Sequence, residues 1–407
     1  MKAWLGVVGI GEDGIAGVSP AGRALIETAE LLVGGARHLA MVPPSVVPPG
    51  RGERLVWRRP LADTLGDIAA RRGRRVTVLA SGDPLWYGIG TVLARHFPID
   101  EMTIVPHPGA FGLAAARLGW AIEALIPLTL HGRPLDSLRL HLSPGARIVL
   151  LSHDGDTPDA VAALLKETGW GPSRITVFEH LGGAREAVLS GTADSWGERR
   201  AADLNTIAID CLPGPGANPL SRLAGLPDDA FEHDGQLTKR EVRAMTLARL
   251  APLAGEMLWD IGAGCGSIAI EWLRAIAGGA AIAVEHNEAR AAVIARNAGR
   301  LGVPKLRIVA GRAPEALAGL PPPDAIFIGG GIGDPGLLDT AWAVLRQGGR
   351  LVANVVSIEG ERAVLDWRSR HGGELTRIAV SRAESLGAHH AWRPLMSVTQ
   401  LFAAKSV

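Results

Sequence analysis

The sequence predicts an α/β fold in two halves, because short apolar runs alternate with amphipathic helical stretches on both sides of one irregular segment. The 407 residues are 47% hydrophobic and 20% charged, a composition that suits a folded chain with more than one core. The irregular segment, residues 211–236, is crowded with Pro, Gly and Asp and has no sustained period. We therefore predict domains over residues 1–212 and 236–407, joined by a linker over residues 213–235.

Repeated β–α alternation in the first half predicts a mostly parallel sheet. The predicted strands are residues 4–8, 76–80, 103–105, 147–151, 175–178 and 206–209. Ser19 and Pro20 predict the start of one helix, because serine is a good cap and proline fits the first helical position. A further amphipathic helix is predicted over residues 158–168.

The second half restarts the alternation with a helix that runs to about residue 250. Thr238 and Glu241 have the spacing of a capping box, in which each side chain satisfies a backbone N–H at the helix start. Strands are predicted at residues 256–261, 281–285, 306–309, 324–328 and 350–355, and helices at 287–301 and 335–346. The last two apolar runs, 374–380 and 397–402, predict an antiparallel hairpin at the sheet edge.

Charge and cysteine usage exclude several classes of function. Lys and Arg total 42 against 41 for Asp and Glu, so the net charge of +1 offers no basis for binding nucleic acid or an anionic membrane. Cys211 and Cys265 are the two cysteines, which excludes a disulfide scaffold and a thiolate zinc site and predicts a reducing, cytoplasmic location. His389 and His390 have no third ligand nearby, so we predict an exposed loop and no metal. We expect neither a signal segment nor a membrane span.

Residues 258–267, LWDIGAGCGS, place a glycine-rich turn between a predicted strand and a predicted helix. Glycine at such a turn lets the backbone approach a ligand, and Glu285 at the end of the next strand can accept both hydroxyls of a ribose. A dinucleotide site would want Gly or Ala where Ser267 stands, and Asp260 adds negative charge where a pyrophosphate would lie. We therefore favour S-adenosylmethionine, a cationic nucleoside ligand, over NAD.

A second glycine motif, Gly9-x-Gly11-x-x-Gly14, follows the first strand and literally matches the dinucleotide fingerprint. The acid expected at the end of the second strand is missing, because residues 31–33 run into two glycines. We predict a tight turn here and no NAD site. The loop at residues 80–90, ASGDPLWYGIG, also follows a strand and brings the Asp83 carboxylate to the same edge.

The motifs VVGIGEDG, LLVGGARHL and ASGDPLWYGIG together resemble those of the tetrapyrrole methylases, which use S-adenosylmethionine, and in particular their branch that methylates precorrin at carbon 5. In the second half, HDGQLTKREVRA, LWDIGAGCGSIAIEW, FIGGG, GGRLVAN and WRPLMSVTQ resemble the class I methyltransferases that methylate precorrin at carbon 15 and decarboxylate it. The order of the halves resembles the fused enzymes of aerobic cobalamin synthesis. The resemblance implies a two-subdomain tetrapyrrole methylase fold followed by a Rossmann-like class I methyltransferase fold.

The resemblance also implies residues for each site. In the N-terminal half it implies a cofactor cleft between two α/β subdomains at Ser81, Gly82, Asp83, Pro84, Pro108 and Gly109, with Gly9 and Gly11 facing the tetrapyrrole. In the C-terminal half it implies cofactor contacts from Asp260, Gly262, Gly264, Gly266, Glu285 and Ala313. Substrate contacts are expected from Gly329 and Gly331, and from Gln236, Thr238 and Arg240.

The implied reaction is methylation of precorrin-6Y at carbons 5 and 15, with loss of carbon dioxide from the acetate at carbon 12, which gives precorrin-8X. It would consume two molecules of S-adenosylmethionine per turnover, one at a site in each domain. A bulky macrocycle needs bare backbone beside the methyl group and partners for its carboxylates, so Gly330, Asn354 and Arg243 are candidate catalytic residues. The resemblance also implies a homo-oligomer.

Four alternatives stay open from the sequence. A fused methylase of this kind could act on another tetrapyrrole. The same chemistry could act on the cobalt-bearing form of the intermediate, because no metal-binding feature decides between the two. One half could bind the tetrapyrrole without catalysing a reaction. A dehydrogenase would be established by binding of NADH without binding of S-adenosylmethionine.

Overall fold

The computed structural model describes residues 3–47 and 52–406, so residues 1, 2 and 407 at the ends of the predicted domains lie outside the described residues. The chain divides into two compact units. Met1–Leu135 and Ser143–Asn218 make the N-terminal unit, while Pro219–Val407 and the short segment Asp136–Leu142 make the C-terminal unit. No helix in the described parts of the chain is long and apolar enough to cross a membrane.

The described residues of the N-terminal unit form two sheets and six helices. The strands are β1 (Leu5–Ile10), β2 (Leu31–Gly34), β3 (Glu53–Val56), β4 (Val76–Ser81), β5 (Met102–Val105), β6 (Leu125–Thr129), β7 (Arg147–Leu151), β8 (Arg174–Glu179), β9 (Ala187–Thr192) and β10 (Asn205–Asp210). The helices are α1 (Pro20–Glu27), α2 (Ala36–Ala40), α3 (Leu61–Ala69), α4 (Ile89–His96), α5 (Ala110–Leu118) and α6 (Thr157–Glu167). The sheet orders are β3-β2-β4-β1-β5 and β6-β7-β10-β8-β9, one sheet for each subdomain.

Local sequence explains the main elements of this unit. All six residues of β1 are buried, as expected for a central strand of a parallel sheet with both faces covered. Ser19 caps α1 by accepting a hydrogen bond from the Gly22 N–H at 3.3 Å, and Pro20 opens the helix as predicted. In the second subdomain, α5 packs Phe111 against Val149 of β7.

The described residues of the C-terminal unit form a seven-stranded sheet, a separate hairpin and five helices. The strands are β11 (Met257–Ile261), β12 (Ala280–Glu285), β13 (Arg307–Ala310), β14 (Ala325–Ile328), β15 (Arg350–Val355), β16 (Glu374–Ile378), β17 (Ser381–Leu386), β18 (His389–Pro394) and β19 (Val398–Ala404). The helices are α7 (Arg240–Leu250), α8 (Ser267–Ala275), α9 (Glu288–Arg300), α10 (Leu337–Val344) and α11 (Ile358–His371). The order β13-β12-β11-β14-β15-β19-β16 is parallel except at the two pairings of β19.

Helices cover both faces of this sheet. Successive residues of β11 enter different cores: Leu258 packs with Trp272 of α8, and Trp259 packs with Trp367 of α11. The alternation follows from the two-residue period of a strand. A sheet buried on both faces leaves the carboxyl edge of its parallel strands as the place where polar loops gather.

The second N-terminal sheet differs from the mostly parallel sheet that the alternation predicted. Strands β6 and β7 run parallel, whereas β7–β10, β10–β8 and β8–β9 are antiparallel pairs. An apolar run does not encode the direction of its strand. The short connection between β8 and β9 permits a hairpin, which a parallel pair could not use.

Three predictions in the second half are corrected. Lys239, and not Thr238, caps α7, and its side chain makes no capping hydrogen bond. The runs 374–380 and 397–402 form adjacent antiparallel strands, but they are not a hairpin because β17 and β18 lie between them in the chain, and β19 lies inside the sheet. Part of the segment predicted as a linker is packed, since Leu226 and Phe231 are buried in the C-terminal core.

Candidate active sites

The C-terminal unit contains a cavity of about 750 Å³ at the carboxyl edge of its parallel strands. The turns that follow β11, β12, β13 and β14 form one part of its wall, and the segments before α7 and before β19 form another. Among the described residues, the lining includes residues 235–239, 261–264, 284–286, 311–313, 329–331 and 394–396. Folds of this kind bind ligands at this edge, and the volume is that of a small-molecule site.

The glycine turn between β11 and α8 forms one side of the cavity. Gly262, Gly264 and Gly266 have φ values of 67°, 60° and 80°, a conformation that glycine adopts without strain. A Cβ atom on Gly262 would lie 2.7 Å from the backbone nitrogen of Gly330, so the turns after β11 and β14 pack backbone to backbone. The sequence therefore needs glycine here both for the turn and for the contact with its neighbour.

Glu285 ends β12 and lines the cavity, although only 2% of the residue is exposed. Its Oε2 accepts a hydrogen bond from the Gly264 N–H at 2.8 Å, and its Oε1 accepts one from the Asn287 N–H at 3.0 Å. The backbone therefore fixes the carboxylate from both sides. The His286 Nδ1 lies 3.2 Å from Oε1, and a carboxylate oxygen has lone pairs for more than one donor, so the pair of oxygens suits a ligand with two adjacent hydroxyl groups.

Asp260 lies behind the glycine turn and is absent from the described residues that line the cavity. Its Oδ2 accepts a hydrogen bond from the Ala269 N–H at 2.9 Å, while Oδ1 has no hydrogen-bond partner among the described residues. Burial, together with the charge of Glu285, raises the pKa of Asp260 to about 7. The carboxyl group therefore supports the first turn of α8 from below the cavity, and the direct cofactor contact implied by the resemblance is not what the structure shows.

Within the part of the chain that the structure describes, three permanently basic side chains line the cavity: Lys239, Arg290 and Arg312. The Arg290 Nε donates to Asp234 at 2.8 Å, and Arg312 donates two hydrogen bonds to Asp334 at 2.7 and 3.0 Å. Lys239 is half-buried, and its ammonium makes no hydrogen bond or ion pair with any described residue. Two of the three charges are thus already neutralised by aspartates.

The wall around the start of α7 is apolar. Val242 packs with Val398 and Val380 in a small hydrophobic cluster, and all three line the cavity. Leu395 and Met396 continue this surface, and 75% of Met396 is exposed. The cavity therefore combines a polar end at the glycine turn with an apolar side that opens toward solvent.

Asn354 also lines the cavity, but both ends of its amide are occupied. Its Nδ2 donates to the Thr246 hydroxyl at 2.9 Å, and its Oδ1 accepts from the Gln400 Nε2 at 2.9 Å. Ala313, Gly329, Gly330 and Gly331, together with Gln236 and Thr238, line the same cavity, so the structure brings these predicted residues together.

Arg243 does not reach the cavity, and the prediction that it contacts a substrate carboxylate is wrong. Its side chain is fully buried, and its Nε donates to Glu271 at 2.6 Å. Asp228 accepts a further hydrogen bond at 3.3 Å, and the guanidinium lies 4.8 Å from the centre of the Phe231 ring. Arg240 is exposed and is likewise absent from the described cavity lining.

In the N-terminal unit, three loops meet where β4, β1 and β5 end at one edge of the sheet. A Cβ atom on Gly9 would overlap the Gly82 carbonyl oxygen and lie 2.7 Å from the backbone nitrogen of His107. A Cβ atom on Gly82 would lie 2.7 Å from the Gly109 Cα. The structure thus brings the predicted glycines into direct backbone contact, with Ser81, Asp83, Pro84, Pro108 and Gly11 flanking them in sequence.

A polar cluster that sequence reasoning missed lies at this edge. The Ser81 hydroxyl is 2.8 Å from the His38 Nε2, and Arg37 pairs with Glu12. The His180 Nδ1, from the second subdomain, lies 3.4 Å from the Glu12 Oε2. Burial and the neighbouring Arg37 lower the pKa of His38 to about 4. The members come from distant motifs, so only the fold shows that they are neighbours.

The two histidines considered as metal ligands begin β18 and are exposed, where the sequence predicted a loop. Among residues 3–47 and 52–406, no group of three His, Cys, Asp or Glu side chains is arranged to hold a metal ion. Cys265, inside the glycine turn, is buried, and burial raises the pKa of its thiol to about 11.

Each half of the chain matches a family model. The model for tetrapyrrole (corrin/porphyrin) methylases matches residues 5–196, and the model for a precorrin methyltransferase domain matches residues 229–405. A precorrin-6Y C(5,15)-methyltransferase (decarboxylating) from Sinorhizobium sp. is 48% identical over 400 residues, which cover 98% of this chain and 96% of that protein. This chain belongs to the precorrin-6Y C(5,15)-methyltransferase family.

Other members of the family are also similar over long stretches. The precorrin-6Y C(5,15)-methyltransferase of Mycobacterium tuberculosis strain CDC 1551 is 41% identical over 398 residues, covering 97% of this chain and 98% of that protein. A crystal structure of the C-terminal domain of the Rhodobacter capsulatus precorrin-6Y C5,15-methyltransferase is 45% identical, with a TM-score of 0.43, and covers 46% of this chain and 100% of that one. The family is one of methyltransferases, and its two-part organisation agrees with the fold classes that the sequence motifs implied.

The cavity lining includes residues that the sequence patterns did not indicate. Lys239, Arg290 and Arg312 line the C-terminal cavity, and none was singled out. Lys239 had a local signal, since it stands between Thr238 and Arg240 in the motif QLTKREVR. The apolar wall at Leu395 and Met396 had none, because it joins the cavity only after the sheet has formed.

Proposed function

We propose that this chain uses S-adenosylmethionine to methylate precorrin-6Y at carbons 5 and 15 and removes carbon dioxide from the acetate at carbon 12, giving precorrin-8X. The names and nearly full-length match of its relatives support this assignment. The structural observation that carries it is the C-terminal cavity, in which Glu285 and a bare glycine turn face the same space as an apolar wall and a free cation. One space can thus accept a nucleoside and a carboxylate-bearing macrocycle.

The cofactor end of this cavity fits S-adenosylmethionine. Glu285 would accept the ribose hydroxyls, because its two oxygens are already oriented by backbone N–H groups. Ala313 and the Gly262–Gly264 turn would lie along the nucleoside, and the negative charge of Glu285 suits a cationic ligand. When bound, S-adenosylmethionine supplies an electrophilic methyl group.

The residues around the reacting carbon would act by position. Gly329, Gly330 and Gly331 would present bare backbone, so a wide macrocycle could approach closely. The apolar wall would exclude water and hold the ring plane, and orientation of this kind supplies much of the acceleration of a methyl transfer. During decarboxylation the conjugated ring would accept the electron pair of the broken carbon–carbon bond. The protein would hold the carboxylates of the macrocycle in fixed positions.

The N-terminal unit would hold the second cofactor and methylate carbon 5. Its loops at residues 81–84 and 108–109 would line the cofactor cleft, and Gly9 and Gly11 would face the tetrapyrrole. The functional boundaries that we propose are residue 212 for the end of the N-terminal domain and a C-terminal domain that includes the packed segment around Leu226 and Phe231, with two cofactor molecules used per turnover. We also propose a homo-oligomer without nucleic-acid partners, in the cytoplasm, where free thiols such as those of Cys211 and Cys265 persist.

Mass spectrometry of the pigment tests the proposal. Wild-type protein with precorrin-6Y and excess S-adenosylmethionine should add two methyl groups and remove one carbon dioxide. Glu285→Gln keeps the side-chain shape but replaces one acceptor oxygen with a donor that opposes a backbone N–H, so methylation at carbon 15 should be lost. Glu288→Gln, an exposed change three residues later, is the matched control and should behave as wild type.

Three results would contradict the proposal in different ways. A single methyl addition by the wild type would mean that one half only binds the pigment. An unchanged mass, with full turnover of the cobalt-bearing intermediate, would reassign the substrate. Binding of NADH without binding of S-adenosylmethionine would remove the methyltransferase assignment altogether.

A further inference from the structure

Lys239 is a cation in the C-terminal cavity that the fold itself does not use. The other two permanent cations of the lining, Arg290 and Arg312, are held by Asp234 and Asp334. The Lys239 ammonium has no such partner among the described residues, although the residue is half-buried against the cavity. The ammonium is not enclosed by the protein, so it adds an uncompensated positive charge to the cavity with which an anionic ligand group can pair.

Helix stability does not explain a lysine at this position. Lys239 is the cap residue of α7, where Ser, Thr, Asp or Asn would satisfy a backbone N–H. A positive charge is also unfavourable at the positive end of the helix dipole. The Thr238 side chain next to it could have served as the cap. Residues that violate a local rule without a structural gain are often functional.

The surroundings of Lys239 place it on the apolar side of the cavity. A cap residue and the third residue of the helix are neighbours at a helix start, so Lys239 lies beside Val242. Val242 packs with Val380 and Val398, which belong to the apolar wall. Glu285, which defines the polar end, is held instead by the glycine turn after β11.

We propose that Lys239 binds a carboxylate side chain of the tetrapyrrole and so determines which macrocycle the carbon-15 site accepts, an assignment that rests on the proposed function. A lysine ammonium is a compact point charge on a flexible stem, which can follow a carboxylate on a mobile acetate or propionate arm. The carboxylate that Lys239 binds is one that stays on the macrocycle during the reaction. A full positive charge on the departing carboxylate would stabilise the ground state and oppose decarboxylation.

Steady-state release of carbon dioxide by the full-length protein isolates the C-terminal reaction from the N-terminal one. Lys239→Met should raise the KM for precorrin-6Y about tenfold or more, because a charge-assisted hydrogen bond is lost, and should change kcat little. Lys239→Arg should restore most of the affinity. The matched control is Arg240→Met, which removes an equal charge one residue away but outside the cavity, and its KM should remain that of the wild type.

Two further measurements show whether Lys239 binds a carboxylate of the tetrapyrrole or that of the cofactor. They also separate failure of this proposal from failure of the proposed function. Calorimetry with S-adenosylhomocysteine should give the same Kd for Lys239→Met and wild type; a weaker Kd with an unchanged KM for precorrin-6Y would assign Lys239 to the cofactor carboxylate and overturn the proposal. An unchanged KM and Kd, or an equal effect of Arg240→Met, would overturn it as well. If the wild type releases no carbon dioxide, the proposed function fails, and direct titration of wild type and Lys239→Met with precorrin-6Y still decides the role of Lys239.

Discussion

The two units place glycine loops at the carboxyl ends of parallel strands, yet they use them differently. In the N-terminal unit, Gly9 and Gly82 allow loops to press backbone against backbone, and Gly9 itself does not need a left-handed conformation. In the C-terminal unit, Gly262, Gly264 and Gly266 all adopt positive φ, and the turn holds the carboxylate of Glu285 through the Gly264 N–H. At Gly9 the absence of a side chain lets neighbouring loops pack together, whereas the C-terminal turn in addition orients an acid at the wall of a cavity.

The literal dinucleotide fingerprint and the oriented acid belong to different units of the chain. The Gly9-x-Gly11-x-x-Gly14 motif has the right spacing but lacks an acid at the end of its second strand. The C-terminal turn has poorer spacing, but Glu285 is oriented by two backbone N–H groups. The N-terminal turn thus has the glycine spacing without the acid, and the C-terminal turn has the acid without the glycine spacing.

Gly9→Val should have the largest effect and should be confined to one unit. The added side chain would overlap the Gly82 carbonyl and crowd His107, so the three loops would have to separate. We expect a loss of about 3 kcal/mol or more in the stability of the N-terminal unit, and loss of methylation at carbon 5. Thermal unfolding and the mass of the pigment check both effects.

Gly112→Ala is the matched control for Gly9→Val. Gly112 lies within α5, and nothing stands within 4 Å of the position that its Cβ would take. We expect it to stabilise the N-terminal unit by about 0.5–1 kcal/mol, since alanine loses less backbone entropy in a helix. Equal destabilisation by both substitutions would show that the loop contacts of Gly9 do not matter.

Asp260→Asn should have an intermediate effect that depends on pH. Because burial raises the pKa of Asp260 to about 7, the folded state keeps a proton that the unfolded state releases near the ordinary carboxyl pKa. The titration of Asp260 should therefore lower the stability of the C-terminal unit as pH rises from about 4 to about 7, and contribute little further change above that. We expect the asparagine variant to lack this decline, a difference of more than about 1 kcal/mol between about pH 5 and pH 8.

Urea unfolding at several pH values measures this slope, and the exposed change Glu288→Gln provides the control. An unchanged slope in Asp260→Asn would mean that the carboxylate stays ionised beneath the turn. The unpartnered Oδ1 would then need a hydrogen-bond donor supplied by water or by a ligand.

Local patterns predicted the parts of the molecule in which neighbours in sequence are neighbours in space. The order strand, glycine turn and helix around residues 258–267 followed from apolar runs and turn residues, and so did the position of Glu285 at the end of the next strand. The helix start at Ser19 and Pro20 was correct for the same reason. In each case the residues that determine the local structure lie close together in the sequence.

The parts that sequence reasoning missed depend on distant partners. Arg243 is buried because Glu271 and Asp228 reach it from other elements, and its motif gave no sign of either. The antiparallel second sheet was missed because apolar runs do not carry strand direction. His38 of α2 and Ser81 at the end of β4 become neighbours because β2, which precedes α2, pairs with β4 in the sheet.

Thiol labelling gives the smallest signal and compares the two units directly. Cys211 lies in the N-terminal unit and Cys265 in the C-terminal unit, and both are buried. Burial raises the pKa of the Cys211 thiol to about 12 and that of Cys265 to about 11, so almost no thiolate is present at neutral pH. We expect negligible labelling by iodoacetamide in the native protein, measured by mass spectrometry of the peptides.

Added urea should expose each thiol when its own unit opens, so the two cysteines report separately on the two units. Gly9→Val should move the labelling midpoint of Cys211 to lower urea and leave that of Cys265 in place, because the strained loops belong to the N-terminal unit. Asp260→Asn should move the Cys265 midpoint alone, to higher urea, and only above about pH 4, where the wild-type carboxyl group begins to oppose folding. Joint movement of both midpoints in either variant would show that the two units unfold together. The glycine loops of one unit would then affect the stability of both units.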